Sequence, residues 1–272
     1  MAYEVGIQRL RDWMVRFGFG EQTGIDLPNE KSGVMPSPKW KKDTYDKGWL
    51  PGETISVSIG QGYFLATPLQ IANATAMTAN KGYHITPHLL KSSDGAAAVN
   101  VISKPDGKID YNGKPSDWTR MHDAMEQTVK AGTARGIYTP RYRIAGKTGT
   151  AQVKSIAQGK SYNKAALDKR HWDHAWFNGF APVEEPEIAL SVLVENGGGG
   201  SAVAAPIGRA LFDYWMLQRK TTSIFPPTRD ELRAIKRQKA FEKAIRDALR
   251  DKEQALAEKA EAQAAENAAT SE

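Results

Sequence analysis

The stretch RYRIAGKTGTAQV, residues 141–153, sets a Gly-Lys-Thr inside an otherwise apolar, β-prone run. Two chemistries use such a lysine: a nucleotide phosphate cradle, or a strand that faces a peptide carboxylate. A phosphate loop needs Gly-x-x-x-x-Gly-Lys-Ser/Thr followed by a helix, because bare backbone amides at a helix start wrap the phosphates. Here Arg141 stands where the first glycine belongs. Downstream, Thr148, Thr150 and Val153 are β-branched and Gly149 interrupts them, so the lysine is predicted to ride a strand.

The elements around it follow from periodicity. Ile7, Leu10, Met14 and Phe17 fall at helical spacing, with Gly18 placed to stop the helix. Residues 23–52, rich in Gly, Pro, Lys and Asp, read as a long ordered loop. From Glu53 an alternating, strand-like start runs into the glycines of SIGQG. Thr67-Pro68 then caps a helix expected to bury Leu69, Ile71, Ala72 and Ala76 and to end at Gly82. Short strands and turns fill 83–117, and a helix over 118–131 places Met121, Met125 and Val129 on one face. Runs 175–181 and 187–195 are joined by Pro-Val-Glu-Glu-Pro, which predicts an antiparallel hairpin. The second run is apolar on both faces, as in a strand covered by helices. A flexible GGGG loop and a helix from about Ala205 to Gln218 close the body.

The 272 residues carry a net charge of +6, and the charges of residues 228–272 balance, so the excess lies in residues 1–227. Past Pro226-Pro227 the composition shifts to Ala, Lys, Arg and Glu, a charged helical or disordered tail. A basic body suits an anionic partner, yet no aromatic-basic stripe or zinc-finger spacing points to nucleic acid, and none is expected as a partner. With no cysteine, disulfides and thiolate chemistry are excluded. No cofactor or metal is expected: His171 and His174 lack a third ligand in view, and Thr86-Pro87 breaks the helix that would align His84 with His88. Glu184 and Glu185 are expected to be solvated in the hairpin turn. No signal peptide or membrane segment is read in this chain.

Four segments in order, ISVSIGQGYFLATPLQIANATAMTANKG, IAGKTGTAQV, AWFNGFAPVEEPEIALSVLVENG and AAPIGRALFDYW, resemble the second half of a penicillin-binding transpeptidase domain, in the form found in the penicillin-binding protein 2 group. With GIQRLRDWMVRFGFGEQTGIDLP they extend the resemblance over residues 3 to about 217. It implies an α/β (α+β) fold with a central antiparallel sheet flanked by helices on both faces. The implied chemistry is serine acyl transfer on D-Ala-D-Ala stem peptides. On that resemblance Lys147 is the supporting catalytic residue, keeping the site positive and orienting the proton network around the nucleophile. Thr148 and Thr150 are substrate-binding residues that offer hydroxyls to the terminal carboxylate, and Gly149 leaves the approach open. The Thr150 amide would be one of two oxyanion donors.

The family's nucleophilic Ser-x-x-Lys and its Ser-x-Asn motif precede Lys-Thr-Gly, and residues 1–146 hold neither. Ser161 to Lys164 matches both in letters but falls after the lysine strand, in a polar loop unsuited to a nucleophile. The expectation is therefore an incomplete transpeptidase domain over 1–227, inactive alone, with a tail over 228–272. Its parent would be anchored in the bacterial inner membrane with the domain in the periplasm. Partners of the parent would be peptidoglycan stem peptides, β-lactams and cell-elongation membrane proteins. Two rival readings are a non-catalytic binding or structural module using the basic groove or the tail, and a hydrolase built around Ser161.

Overall fold

The computed structural model describes residues 2–90, 105–153 and 167–217, all within one compact unit, 1–221. Ser161, Lys164 and the tail from 228 lie outside the described residues. In chain order the elements are α1 (Ala2–Arg16), α2 (Pro38–Tyr45), α3 (Pro51–Ser58), α4 (Pro68–Ala79), β1 (Tyr83–His84) and β2 (Gly107–Lys108). Then come α5 (Pro115–Lys130), β3 (Ala145–Ala151), β4 (His174–Ala181), β5 (Ile188–Val194) and α6 (Ala204–Leu217).

The core sheet has the order β3-β4-β5, antiparallel throughout, with β4 in the middle. Helices cover both faces. Because side chains alternate along a strand, Phe177 and its cross-strand partner Val192 face α6, where Phe177 meets Phe212 edge to face with ring centroids 6.4 Å apart. Phe180 points the other way, against His122 of α5, with Ala79 of α4 in the same apolar cluster. Phe177, Phe180 and Phe212 are fully buried. A β-carbon at Gly208 would lie 2.4 Å from the Phe177 ring, and one at Gly146 2.7 Å from it, so the ring fits only because both positions lack a side chain.

The lead-in to β3 is bolted to both layers. Tyr142 donates its hydroxyl to Asp213 of α6 (2.8 Å). Its neighbour Arg143 turns the opposite way, donating from Nε and Nη2 to both carboxylate oxygens of Glu126 on α5 (2.6 and 2.7 Å) and from Nη1 to Glu184 (2.6 Å). A bidentate charge-assisted pair of this kind fixes direction as well as distance.

The cap at Thr67 forms as the sequence predicts: its hydroxyl accepts from the Gln70 amide (3.1 Å) and Gln70 Oε1 accepts from the Thr67 amide (2.9 Å). Gln70 Nε2 also donates to the carbonyls of Glu21 and Ser32, both at 2.7 Å, tying α4 to the preceding loop.

Four expectations are corrected. Residues 23–52 contain α2, because Ser37 accepts from the Trp40 amide and Pro38 opens the first turn. Residues 53–58 are helical, not strand-like: Pro51 starts α3, Glu53 accepts from the Leu50 amide (2.7 Å), and Thr54 and Val57 turn inward while Ile55 and Ile59 face out. On α5 the buried face is Trp118, His122, Glu126 and Val129, whereas Met121 is exposed, since the sheet lies on the polar-looking side. On α4 the deepest side chains are Gln70, Asn73, Ala74, Thr75, Met77, Thr78 and Ala79, and the expected apolar face is half-buried.

Candidate functional site

β3 is an edge strand among the described residues, with β4 on one side only. Its first two residues, Ala145 and Gly146, are buried, and the chain emerges into solvent at Lys147 and Thr150. The strand reading of Lys-Thr-Gly therefore holds, and Lys147 stands opposite Asn178 of β4, not at a helix mouth.

Alternation divides the four predicted positions. Lys147 and Gly149 share a face with Asn178 and Trp176; Thr148 and Thr150 share the other with Phe177 and Ala175. The lysine and the two hydroxyls thus leave the strand from opposite faces. Lys147 Nζ donates to the Thr148 carbonyl at 2.6 Å, and no ion pair of Lys147 is found among the described residues. The Thr148 hydroxyl is 2.7 Å from that of Thr133, in the turn after α5. Gly149 packs on Trp176, whose Cβ would be 3.2 Å from an added β-carbon.

On the lysine face a cleft of about 490 Å³ runs between α4 and α5, lined by apolar groups such as Phe17, Ile71 and Met125 and ending at Lys147 and Asn178. The Asn178 amide donates to Thr75 Oγ1 across it (3.3 Å). A similar cleft, about 520 Å³, lies at the other end of β3 around Arg143 and Glu126. There the charges satisfy one another: Arg143, with help from Lys130, holds the buried Glu126 carboxyl down at about 2. The charges of that cleft are paired within it, whereas the other cleft ends at an exposed lysine bonded to a backbone carbonyl.

Two residues beside the strand escape a reading of the sequence. Gln61 reaches β3 from the turn after α3, donating Nε2 to the Thr150 carbonyl (3.1 Å) and accepting at Oε1 from the Gln152 amide (3.4 Å). Gly200, in the run expected to be a flexible loop, packs on the strands so closely that a β-carbon would lie 2.3 Å from the Trp176 carbonyl oxygen and 2.4 Å from that of Gly149. The four consecutive glycines were the available signal for the second; nothing local marks the first.

The other polar groups have separate engagements. Asn196 donates its amide to His174 Nδ1 (2.9 Å), and His84 Nδ1 pairs with Asp106 (2.6 Å). Glu184 and Glu185 are exposed in the hairpin turn, as expected, and Glu184 also pairs with Arg143.

Residues 1–213 match the family model described as the penicillin binding protein transpeptidase domain. The chain belongs to this family. Among its relatives, peptidoglycan D,D-transpeptidase MrdA of Acinetobacter baumannii is 55% identical over 226 residues, covering 83% of this chain and 34% of that protein. MrdA of Escherichia coli K12 is 39% identical over 231 residues, 82% of this chain and 36% of that protein. The chain thus spans about a third of the length of these curated relatives. Its fold matches Pseudomonas aeruginosa PBP2, solved in complex with WCK 5153, with TM-score 0.66 and 44% identity over 79% of this chain and 44% of that one. It also matches Helicobacter pylori PBP2, solved in complex with MreC, with TM-score 0.66 and 30% identity over 79% of this chain and 37% of that one.

Proposed function

We propose that this chain forms one wall of the acyl-transfer site of a peptidoglycan D,D-transpeptidase that cross-links D-Ala-D-Ala stem peptides through a serine acyl-enzyme. The observation that carries this reading is Lys147-Thr148-Gly149-Thr150 on an open strand edge at the end of an apolar cleft, in a chain of this family. In it, Lys147 is the supporting cation and Thr148, Gly149 and Thr150 receive the peptide, whose backbone pairs with the strand edge. The Thr150 amide turns to that edge and serves as one oxyanion donor, a role worth about 3 kcal/mol when charge develops on the attacked carbonyl.

The attacking serine belongs to a Ser-x-x-Lys that residues 1–146 do not contain, so the chain is inactive alone. Loss of an essential nucleophile removes about six orders of magnitude in rate. Residues 1–227 are the transpeptidase part and 228–272 an appended tail. In the whole protein the domain works in the periplasm, held at the inner membrane, with stem peptides and β-lactams as ligands and a cell-elongation protein as partner. The MreC complex of the Helicobacter relative supports the last point.

The test is incubation of the purified chain with a fluorescent penicillin. No covalent label is expected, and joining a polypeptide that supplies the missing motif should restore it. A label on the unmodified chain, mapped to Ser161, would overturn the assignment in favour of a hydrolase built on that loop.

A further inference from the structure

We propose that Gln61 determines how far a peptide can pair along β3, an inference that rests on the reading of β3 as a peptide-receiving edge. Alternate residues of a strand present their N–H and C=O groups to the same side. Gln61 bonds the carbonyl of Thr150 and the amide of Gln152, so Gly146, Thr148, Thr150 and Gln152 are the residues that face the open edge. A carbonyl and an amide two residues apart are what a single residue of a parallel neighbour strand engages. The carboxamide of Gln61 therefore stands in for one residue of a strand opposite Ala151.

The turn that delivers it is built for the purpose by the end of α3. The Gly60 amide donates to the Val57 carbonyl (2.9 Å) and the Gln61 amide to the Ser56 carbonyl (2.9 Å), the paired bonds of a Schellman ending. Gly60 takes the left-handed conformation this ending requires (φ 76°), and Gly62 turns left-handed again (φ 70°). The backbone of Gln61 is thus fixed while its side chain spans 89 positions in sequence to reach β3. The side-chain bonds are long and partly exposed, which makes them displaceable by better-aligned backbone bonds.

Edge carbonyls are accordingly engaged from within: Thr148 by the Lys147 ammonium, Thr150 by Gln61. A ligand that stops at the amides of Thr148 and Thr150 leaves Gln61 in place. One that continues onto Gln152 must displace it, so Gln61 penalises ligands whose paired backbone runs on.

The test uses the full chain, its Gln61→Ala variant and, as a control for folding, Gln61→Glu, which keeps the length but cannot donate to Thr150. Amide exchange at Gln152 is expected to quicken about fivefold or more in Gln61→Ala and less in Gln61→Glu, whose carboxylate can still accept from that amide, with Phe177 in the core unchanged. Binding is read with N-acetyl-D-Ala-D-Ala and with the same dipeptide extended by three residues on its amino side. Gln61→Ala should tighten the extended probe by about threefold to tenfold, the worth of one or two exposed hydrogen bonds, and leave the short one unaltered. Unchanged exchange at Gln152, or an equal shift for both probes, would overturn the proposal while the peptide-binding reading stands. Failure of every protein to bind either peptide would overturn that reading and this inference with it.

Discussion

The two ends of β3 lie a few residues apart and are held by different physics. At the entry, Tyr142 is bonded to α6, Arg143 to α5 and the hairpin turn, and Gly146 to the Phe177 ring by contact alone. At the exit, Lys147 and Thr150 are exposed, and the edge is met by one ammonium and one carboxamide. A strand clamped at one end and weakly covered at the other is a rigid platform with a replaceable neighbour. That difference separates stability from binding along a single element.

The hardest blow to the comparison is at the entry. Phe177→Ala empties a fully buried ring site between two glycines and should cost about 3–5 kcal/mol in chemical denaturation. Next comes Glu126→Ala, which strips Arg143 of its bidentate partner and should cost about 2 kcal/mol. The same carboxyl predicts a pH effect. Its proton affinity is lowered in the folded chain from the ordinary 4.5 to about 2, chiefly by the Arg143 hydrogen bonds. The unfolded chain therefore takes the proton first, so this contribution is complete above about pH 4.5 and drains away as pH falls toward 2. Glu126→Gln should flatten the fall of the thermal midpoint across that window. The smallest effect belongs at the exit: Lys147→Ala and Thr150→Ala should shift stability by less than about 0.5 kcal/mol, while peptide binding at the edge is lost. A large destabilisation by either would erase the contrast.

What the sequence discloses divides along similar lines. The β3 strand, the β4–β5 hairpin, the Thr67 cap and α6 were readable because each is written in neighbouring residues: β-branching, a turn flanked by prolines, a hydroxyl ahead of a proline. The start of α3 was misread because ISVS alternates like a strand, although Pro51 and Glu53 already carried the signals of a helix start. The face of α5 was misread because its burial is decided by ion pairing with Arg143, which lets Glu126 go inside while Met121 stays out. Lys147 was legible as a strand cation. Gln61 was not, since its meaning is a contact made far along the chain, and a glutamine between two glycines announces only a turn.

The close approach of Gly200 to the strand backbone has a practical consequence for anyone wishing to watch this edge. A fluorophore or cross-linker cannot be attached at that position without prising the loop off the sheet. Its neighbour Gly199 has open space where a β-carbon would go. Cysteine introduced there, in a chain that has none of its own, gives a single labelling point one residue from the strands and a reporter that leaves the platform intact.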